Sequence, residues 1–312
     1  MNILILGAAG FIGTNLTLKL AEDQGNTITL VDRNAMYFDQ IKKMKLSNLK
    51  YIENDLQVNS NFKKIVCGQD VIYHLLSTTV PTTSNQHISQ ELMSNVILTS
   101  NLLDACVKCG VKKIAFISSG GTVYGKDVTC PLKEEDQTKP INSYGIQKIT
   151  IEKLLYLYKY MYGLDYRIIR LANPYGPYQR PNGVLGVVTT FTYKALKNEK
   201  IIVYGDGSVV RDFIYIEDAI KGILNIVNGN SIYRTFNLGC GYGTSIKEVL
   251  ECIGKVLNVE MKIEYTTARK VDVPVNFLDI SRYEKSYGKL NAIPLKEGIV
   301  KTAKFMKKNN IV

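Results

Sequence analysis

A glycine-rich turn near the amino terminus constrains the fold of this chain more than any other stretch. Gly7, Gly10 and Gly13 follow a short apolar run and open a helical pattern that continues to about Glu22. Glycine is required where a backbone turns tightly, approaches a pyrophosphate or packs a helix closely on a strand. The first turn of such a helix offers free N–H groups to phosphate oxygens. The sequence therefore predicts a dinucleotide-binding turn, which Phe11 and Ile12 complete.

An acidic residue stands at the matching place after the next apolar run. Asp32 follows Thr27 to Val31, about 20 residues beyond the turn. A carboxylate there can accept hydrogen bonds from both ribose hydroxyls and would repel a 2′-phosphate. This favours NAD over NADP, although the neighbouring Arg33 keeps NADP open as an alternative.

The remaining apolar runs alternate with helical patterns. Further strands are predicted at residues 49–52, 71–75, 113–117 and 166–171, and the longest helical pattern runs from about Gln86 to Cys109. This alternation predicts a Rossmann-type, doubly wound parallel sheet with helices on both faces, formed by residues 1–172.

Shorter elements follow a loop rich in proline and glycine. We expect residues 173–312 to form a smaller, mixed α/β substrate lobe, part of which crosses back to the first domain. Helical patterns in this lobe cover about 184–197, 217–227, 245–257 and 295–307.

The cysteine and histidine content argues against a metal site. Six cysteines are scattered through 312 residues, and the amino terminus lacks the basic segment of a signal peptide. We therefore expect a cytoplasmic protein whose thiols are free. Cys106 and Cys109 form a Cys-x-x-Cys pair inside a helical pattern, which indicates a structural role rather than redox or zinc chemistry. With only two histidines, a histidine-based metal centre is not expected.

The formal net charge of +11 favours anionic partners in general. The lysines are dispersed and no basic stripe is interleaved with aromatic residues, so nucleic acid is not the expected partner. No apolar run approaches the roughly 18 residues of a membrane span. The basic segment from Lys296 to Lys308 has an apolar stripe, which allows a membrane-surface helix. A packed helix with a solvated basic face is the favoured interpretation.

Tyr144 and Lys148 open an apolar-striped segment that ends at Tyr162. Residues four apart lie on one face of a helix, one turn above the other. Lowering the pKa of a tyrosine from about 10 to about 7 requires roughly 4 kcal/mol. One cation about 4 Å away, at an effective dielectric constant of 20, supplies about that much. We hypothesise that Lys148 makes Tyr144 a base. The alternative is an ordinary amphipathic helix with a surface lysine.

Several motifs occur together in a fixed order. They are the glycine turn, Asp32, Asp55-Leu56, Val71 to Leu75, Asn95, Ser118 to Gly125, Tyr144 with Lys148, Arg170 to Pro177 (which contains Asn173), Arg211 to Asp218, and Arg269 with Asp272. In this order and spacing the chain resembles the extended short-chain dehydrogenase/reductases, and within them the nucleotide-sugar epimerases and dehydratases. The resemblance covers nearly the whole chain.

The resemblance implies bound NAD and a nucleotide-diphosphate sugar as substrate. Asp55 and Leu56 would hold the adenine, Leu75 would lie along the cofactor, and Asn95 would brace the core helix. Lys148 would bond the nicotinamide ribose. The implied cofactor-binding residues are Gly7, Gly10, Phe11, Ile12, Gly13, Asp32, Asp55, Leu56, Leu75, Asn95, Ser118, Tyr144 and Lys148.

The resemblance also implies how the substrate is held. Asn173 would contact the sugar diphosphate, Arg211 and Arg269 would neutralise it, and Asp272 would hold the substrate or its neighbouring arginine. Arginine suits this role because its planar fork matches phosphate oxygens. The alternative for both arginines is a surface ion pair.

The chain departs from the family at the loop that follows the fifth strand. The family has a serine or threonine there that bonds the sugar 4-hydroxyl, and the alignment puts Gly120 in its place. Thr122 is the preferred substitute and Ser119 the second; Ser118 or a water is also open. Gly121 and Thr122 occupy the positions of the Asp-Glu pair of sugar dehydratases, which argues against dehydration.

The expected activity is therefore NAD-dependent epimerisation of a nucleotide sugar at C4, as in UDP-hexose 4-epimerases, with Tyr144 and Lys148 as the central catalytic pair. The first alternative is a reductase of nucleotide 4-ketosugars. A dinucleotide-sensing protein without enzymatic activity and an enzyme for a lipid-linked sugar are further alternatives. The helical patterns at Gln86–Cys109 and Tyr144–Tyr162 are apolar on more than one face, which favours a homodimer over burial under a loop.

Overall fold

The computed structural model describes residues 1–81, 84–181, 186–268 and 273–312. Its strands are β1 (Asn2–Leu6), β2 (Thr27–Asp32), β3 (Leu49–Glu53), β4 (Val71–His74), β5 (Lys113–Ser119), β6 (Asp165–Leu171), β7 (Asn173–Tyr175), β8 (Ile201–Tyr204), β9 (Val210–Arg211), β10 (Phe213–Tyr215), β11 (Thr235–Leu238), β12 (Thr244–Ser245), β13 (Ile263–Thr266) and β14 (Val275–Asn276). Its α-helices are α1 (Phe11–Leu20), α2 (Asp39–Lys42), α3 (Lys63–Val66), α4 (Ile88–Glu91), α5 (Leu98–Lys108), α6 (Ser143–Tyr162), α7 (Val187–Leu196), α8 (Ile216–Asn228), α9 (Ile246–Leu257), α10 (Ser281–Tyr287) and α11 (Leu295–Lys308).

A seven-stranded sheet organises the fold, in the order β11-β6-β5-β4-β1-β2-β3. Strand β1 runs parallel to β2 and β4. Strand β3 pairs in parallel with β2, and β5 pairs in parallel with β4. After the exposed Asn2, the first strand is apolar from Ile3 to Leu6, as expected for a strand covered on both faces, and these four residues are at most 1% exposed. The prediction of a Rossmann-type parallel sheet is confirmed. The strand order reverses between β1 and β4, and such a switch point is where open α/β sheets bind ligands.

Contacts divide the chain into two compact units. Unit 1 comprises Met1–Ser119, Asn142–Ile169 and Asn230–Thr235, and unit 2 comprises Gly120–Ile141, Arg170–Gly229 and Phe236–Val312. The core of unit 1 packs α3, α5 and α6 against the apolar strands around β4 and β5.

The basic carboxy-terminal helix is packed within unit 2. Helix α11 lies against α7 and α9, and its Ile299 and Met306 are 0% and 2% exposed. Its apolar stripe is therefore buried, as the packed-helix interpretation requires, and its lysines form the outer face. No helix among the described residues is long and apolar enough to cross a membrane.

Two sequence expectations need correction. Cys67 and Cys109 form a disulfide with Cα atoms 4.9 Å apart, so these two thiols are not free. They cap the carboxyl ends of α3 and α5, which the fold brings together although 42 residues separate them. The helix expected from Gln86 to Cys109 consists of α4, a π-helical segment (Leu92–Ile97) and α5.

His74, at the end of β4, is buried as a neutral side chain. It is 2% exposed, and its Nε2 lies 2.8 Å from the Thr99 hydroxyl. That hydroxyl donates to the Asn95 carbonyl at 2.5 Å, so we assign the ring proton to Nε2, which donates to Thr99. Burial and the nearby Lys148 charge lower the pKa of His74 to about 3.

This burial predicts a specific loss of stability in acid. An unfolded histidine gains a proton below pH 6.5, whereas folded His74 gains one only near pH 3. Neutral His74 therefore contributes fully to the free energy of unfolding above about pH 6.5, and this contribution is lost as the pH falls. At pH 5 the loss amounts to about 2 kcal/mol. His74→Gln keeps a donor to Thr99 but cannot titrate. Between pH 7.5 and pH 5 the free energy of unfolding of this variant should therefore fall by about 2 kcal/mol less than that of wild type.

Denaturant unfolding at both pH values measures this difference. The exposed His87 supplies the matched control, since His87→Gln should keep the wild-type pH dependence. Equal pH dependence in wild type and His74→Gln would contradict the prediction.

Candidate active site

The turn between β1 and α1 has the geometry of a phosphate-binding loop. Gly7 has φ +80°, which favours glycine, and a side chain there would approach the Leu75 backbone to 3.2 Å. A Cβ at Gly13 would lie 2.4 Å from the Gly7 carbonyl oxygen. Helix α1 starts after Gly10, which has no side chain that could cap the helix. The first turn of α1, with Phe11 and Ile12, therefore keeps its free N–H groups for an anion.

Asp32 is attached to this turn. Its Oδ2 accepts from the Ala9 N–H at 2.9 Å and its Oδ1 accepts from the Arg33 N–H at 2.8 Å. The carboxylate is half-buried at the end of β2, one strand away from the glycine turn. Each oxygen can accept a second hydrogen bond, so the geometry suits a ribose diol as well as the loop itself.

The residues predicted at the adenine and along the cofactor lie around the same end of the sheet. Asp55 is exposed and accepts from the Gln57 amide at 3.0 Å, whereas Leu56 is 8% exposed and belongs to the core of unit 1. Leu75 follows β4 and donates its N–H to the Leu6 carbonyl at 3.0 Å. These placements are compatible with a groove across the ends of β1, β2 and β4.

Asn95 lies in the π-helical segment and braces several elements at once. Its amide donates to the Thr78 hydroxyl, the Glu91 carbonyl and Gln147 Oε1 at 2.9, 3.0 and 2.8 Å, and it accepts from the Thr78 N–H at 3.0 Å. Gln147 in turn donates to Glu91 and to Ser143, each at 2.9 Å. The side chain of Asn95 is thus engaged by protein groups, which fits a bracing role.

Tyr144 and Lys148 share one face of α6, as their spacing predicted. The Lys148 ammonium lies 5.3 Å from the centre of the Tyr144 ring and donates to the Ile117 carbonyl of β5 at 2.9 Å. It also lies 4.7 Å from the centre of the Phe116 ring. The lysine is 6% exposed, so the alternative of a surface lysine is wrong.

Burial changes the electrostatics that the sequence suggested. Desolvation raises the pKa of Tyr144 to about 12 and lowers the pKa of Lys148 to about 8. In the protein alone, burial therefore opposes the acidic phenol that the sequence predicts. The sequence estimate counted the attraction between phenolate and ammonium but omitted the desolvation of both groups, which acts in the opposite direction.

Ser118 was predicted to face the cofactor, and its hydroxyl instead points into the protein. It is 3% exposed and donates to Oε1 of Glu152 at 2.6 Å. Glu152 is 5% exposed and stands one helical turn beyond Lys148. Sequence reasoning missed this glutamate. Its four-residue spacing from Lys148 was the available signal, but an acidic residue in a helix is usually solvated.

In unit 2, the close packing around the loop after β5 explains why residue 120 is a glycine. A Cβ at Gly120 would lie 2.6 Å from Leu278 Cδ1 and 3.2 Å from the Arg170 carbonyl oxygen. No side chain fits there without displacing Leu278. The Thr122 hydroxyl, two residues on, is buried and has no hydrogen-bond partner among the described residues. Ser119, the second candidate, ends β5 and is half-buried.

The predicted substrate-binding residues in unit 2 are only partly described. Asn173 donates both its backbone N–H and its side-chain amide to the Asp212 carbonyl at 2.9 Å. Arg211 donates to the Val210 and Val273 carbonyls at 2.8 and 2.6 Å. Arg269 and Asp272 lie outside the described residues.

Comparison with known proteins agrees with this geometry. Residues 3–239 match the NAD dependent epimerase/dehydratase family. The chain belongs to this family. The resemblance to extended short-chain dehydrogenase/reductases is thereby confirmed, as is NAD as the cofactor.

Individual relatives match over nearly the whole chain. A putative UDP-glucose 4-epimerase of Methanocaldococcus jannaschii is 34% identical over 99% of both chains. A dTDP-4-dehydro-6-deoxyglucose reductase of Escherichia coli is 29% identical over 97% of this chain and 96% of its own. The crystal structure of a UDP-glucose 4-epimerase from Thermotoga maritima, with UDP-glucose, superposes with a TM-score of 0.91 at 30% identity, covering 99% of this chain and 100% of the other.

The raised pKa of Tyr144 yields a prediction for this family member. Without cofactor, the Tyr144 phenol should stay protonated at pH 10, because burial opposes the phenolate. Added NAD⁺ should lower the midpoint of the Tyr144 titration, since a nearby positive charge favours the phenolate. NMR of protein labelled at tyrosine Cζ measures this, with the resonance assigned by its loss in Tyr144→Phe. Titration of that resonance below pH 9 in cofactor-free protein would contradict the prediction.

Proposed function

We propose that this chain interconverts nucleotide sugars at C4 through a 4-keto intermediate, with NAD held in unit 1. The observation that carries the proposal is the buried Lys148 ammonium beside the Tyr144 ring, at the end of β5. A nucleotide-binding protein without catalysis needs the glycine turn but has no use for a buried lysine at a phenol. The proposed cytoplasmic location rests on the sequence alone.

The proposed mechanism assigns the proton to Tyr144. The phenolate of Tyr144 takes the proton of the sugar 4-hydroxyl, and the Lys148 ammonium stabilises that phenolate. NAD supplies reversible hydride acceptance at the sugar C4 and a positive charge when oxidised. After the keto sugar turns over, Tyr144 returns the proton to the oxygen as the opposite face is reduced. One tuned acid–base group therefore serves both half-reactions.

Apart from Tyr144 and Ser119, which belong to unit 1, the proposed substrate contacts belong to unit 2. Thr122 is the preferred partner of the sugar 4-hydroxyl, since its buried hydroxyl has no hydrogen-bond partner in the described part of the chain. A buried hydroxyl without a partner loses a hydrogen bond that substrate can restore. Ser119 remains the second candidate. On the family resemblance, Asn173, Arg211 and Arg269 are proposed for the diphosphate, and Asp272 is proposed to hold the substrate or its neighbouring arginine.

A 4-ketosugar reductase is the second candidate function. The similarity to the Escherichia coli reductase favours it, and the same catalytic pair would serve. Incubation of purified protein with UDP-, GDP- and dTDP-hexoses separates the two. An epimerase yields the C4 isomer with nothing added, whereas a reductase consumes one reduced nicotinamide for each 4-keto sugar.

Replacement of Tyr144 by phenylalanine tests the mechanism. Tyr144→Phe should lower kcat by about 10²- to 10⁴-fold, the usual contribution of a general acid–base group. NAD⁺ affinity by calorimetry should stay within a few-fold, because the ring is kept. Tyr156→Phe is the matched control, an exposed tyrosine on the same helix that should keep full activity. Substantial activity in Tyr144→Phe would exclude Tyr144 as the base.

We also propose a homodimer through α6 and the helices beside it. Ile146, Leu157 and Met161 form one stripe on α6 and are 49%, 47% and 56% exposed. Met93 and Ile97 on the adjoining π-helical segment are 50% and 40% exposed. A second copy of the chain would bury both groups in a four-helix bundle.

A charge in this stripe should separate the protomers. Leu157→Glu should convert the protein to a monomer in light scattering at micromolar concentration, because burying an unpaired carboxylate is unfavourable. Ile232→Glu is the matched control, an apolar residue 84% exposed elsewhere in unit 1. A wild-type monomer, or an unaffected Leu157→Glu dimer, would contradict the proposal.

A further inference from the structure

Glu152 is a buried carboxylate that the proposed mechanism has not used. It is 5% exposed on α6, one turn beyond Lys148 and two turns beyond Tyr144. The Ser118 hydroxyl, itself 3% exposed, donates to its Oε1 at 2.6 Å. A buried carboxylate is unfavourable unless it is hydrogen-bonded and faces positive charge. Its position therefore calls for a cation.

Lys148, a buried cation one turn before Glu152 on the same helix, is suited to this role. Its ammonium donates to the carbonyl of Ile117, the residue before Ser118, so Lys148 and Glu152 from α6 are both anchored to adjacent residues of β5. Burial lowers the pKa of Lys148 to about 8, and the negative charge of Glu152 acts in the opposite direction and raises it. Without that charge the amine would be neutral over more of the range in which the enzyme works.

The other groups around Lys148 do not replace this charge. From β4 comes His74, which is buried and neutral because its pKa is lowered to about 3. From β5 comes the Phe116 ring, which attracts the ammonium weakly. From α6 comes Tyr144, which needs the ammonium to form its phenolate.

We infer that Glu152, held by Ser118, is a positioning residue whose negative charge keeps Lys148 in the ammonium form that Tyr144 requires. The inference rests on the proposed function. Ser118 thereby serves catalysis from inside the protein rather than through a contact with cofactor.

The variant Glu152→Gln isolates the charge. Glutamine keeps the size and can still accept from Ser118, so the hydrogen bond survives while the charge is removed. The midpoint of Lys148 should fall by about one pH unit or more, since an opposite charge nearby shifts a pKa by that order. It is measured on cofactor-free protein by NMR of lysine labelled at Cε, assigned by its loss in Lys148→Met. Glu152→Asp, which retains a charge on a shorter side chain, should give an intermediate midpoint.

Kinetics supply the second readout. The alkaline limb of the kcat profile should move to lower pH by the same amount in Glu152→Gln, with KM for the nucleotide sugar changed less than threefold. A merely structural glutamate would lower kcat equally at all pH values. Glu251→Gln, at an exposed glutamate of α9, should leave both the midpoint and the profile unchanged.

The outcomes distinguish this inference from the proposed function. An unchanged Lys148 midpoint in folded Glu152→Gln overturns the inference even if the enzyme epimerises sugars. If no sugar in the panel reacts, the proposed function fails, whereas a lowered midpoint still supports the electrostatic pairing. Should Glu152→Gln not fold, Glu152→Met decides, because it also removes the charge, and a Lys148 titration midpoint equal to that of wild type in folded Glu152→Met overturns the inference.

Discussion

Removal of the Lys148 ammonium from water is the constraint on which the rest of the candidate site depends. A buried ammonium is tolerated only when several partners replace its water. Here the Ile117 carbonyl, the face of the Phe116 ring and the charge of Glu152 do so. Two of these partners come from β5, so solvating the lysine also fixes α6 against that strand. The base and its support are thereby held at the carboxyl edge of the sheet.

The orientation of α6 about its own axis has a separate origin. Gln147 lies between the two catalytic positions and is shared by Asn95 and Glu91, while Ser143 donates to the same Glu91 carboxylate at 2.9 Å. A buried polar network whose members are all satisfied permits few alternative orientations. Because Asn95 lies in the π-helical segment, a local irregularity of the neighbouring helix helps to set the direction of Tyr144.

The sequence predicted the features that are encoded locally. The glycine turn, Asp32 and the helical spacing of Tyr144 and Lys148 depend on backbone geometry and periodicity within short stretches. Features that depend on distant partners were missed. The partner of Cys67 is 42 residues away. In the sequence, Glu152 has the pattern of a solvated acidic residue, and only the fold shows that it is buried against β5. The pKa of Tyr144 depends on its desolvation, which residue spacing does not reveal.

Gly120 and Leu278 are best understood as one feature of unit 2. The leucine is fully buried and fills the space that a side chain at residue 120 would need. Its N–H donates to the carboxylate of Asp212 at 3.4 Å, and the Cys240 N–H donates to the same buried carboxylate at 2.7 Å. The Leu278 backbone is thus tied to Asp212, the residue that follows Arg211. A side chain with a hydroxyl at residue 120 would therefore displace Leu278, and the Thr122 hydroxyl, which has no hydrogen-bond partner among the described residues, is the group we propose in its place.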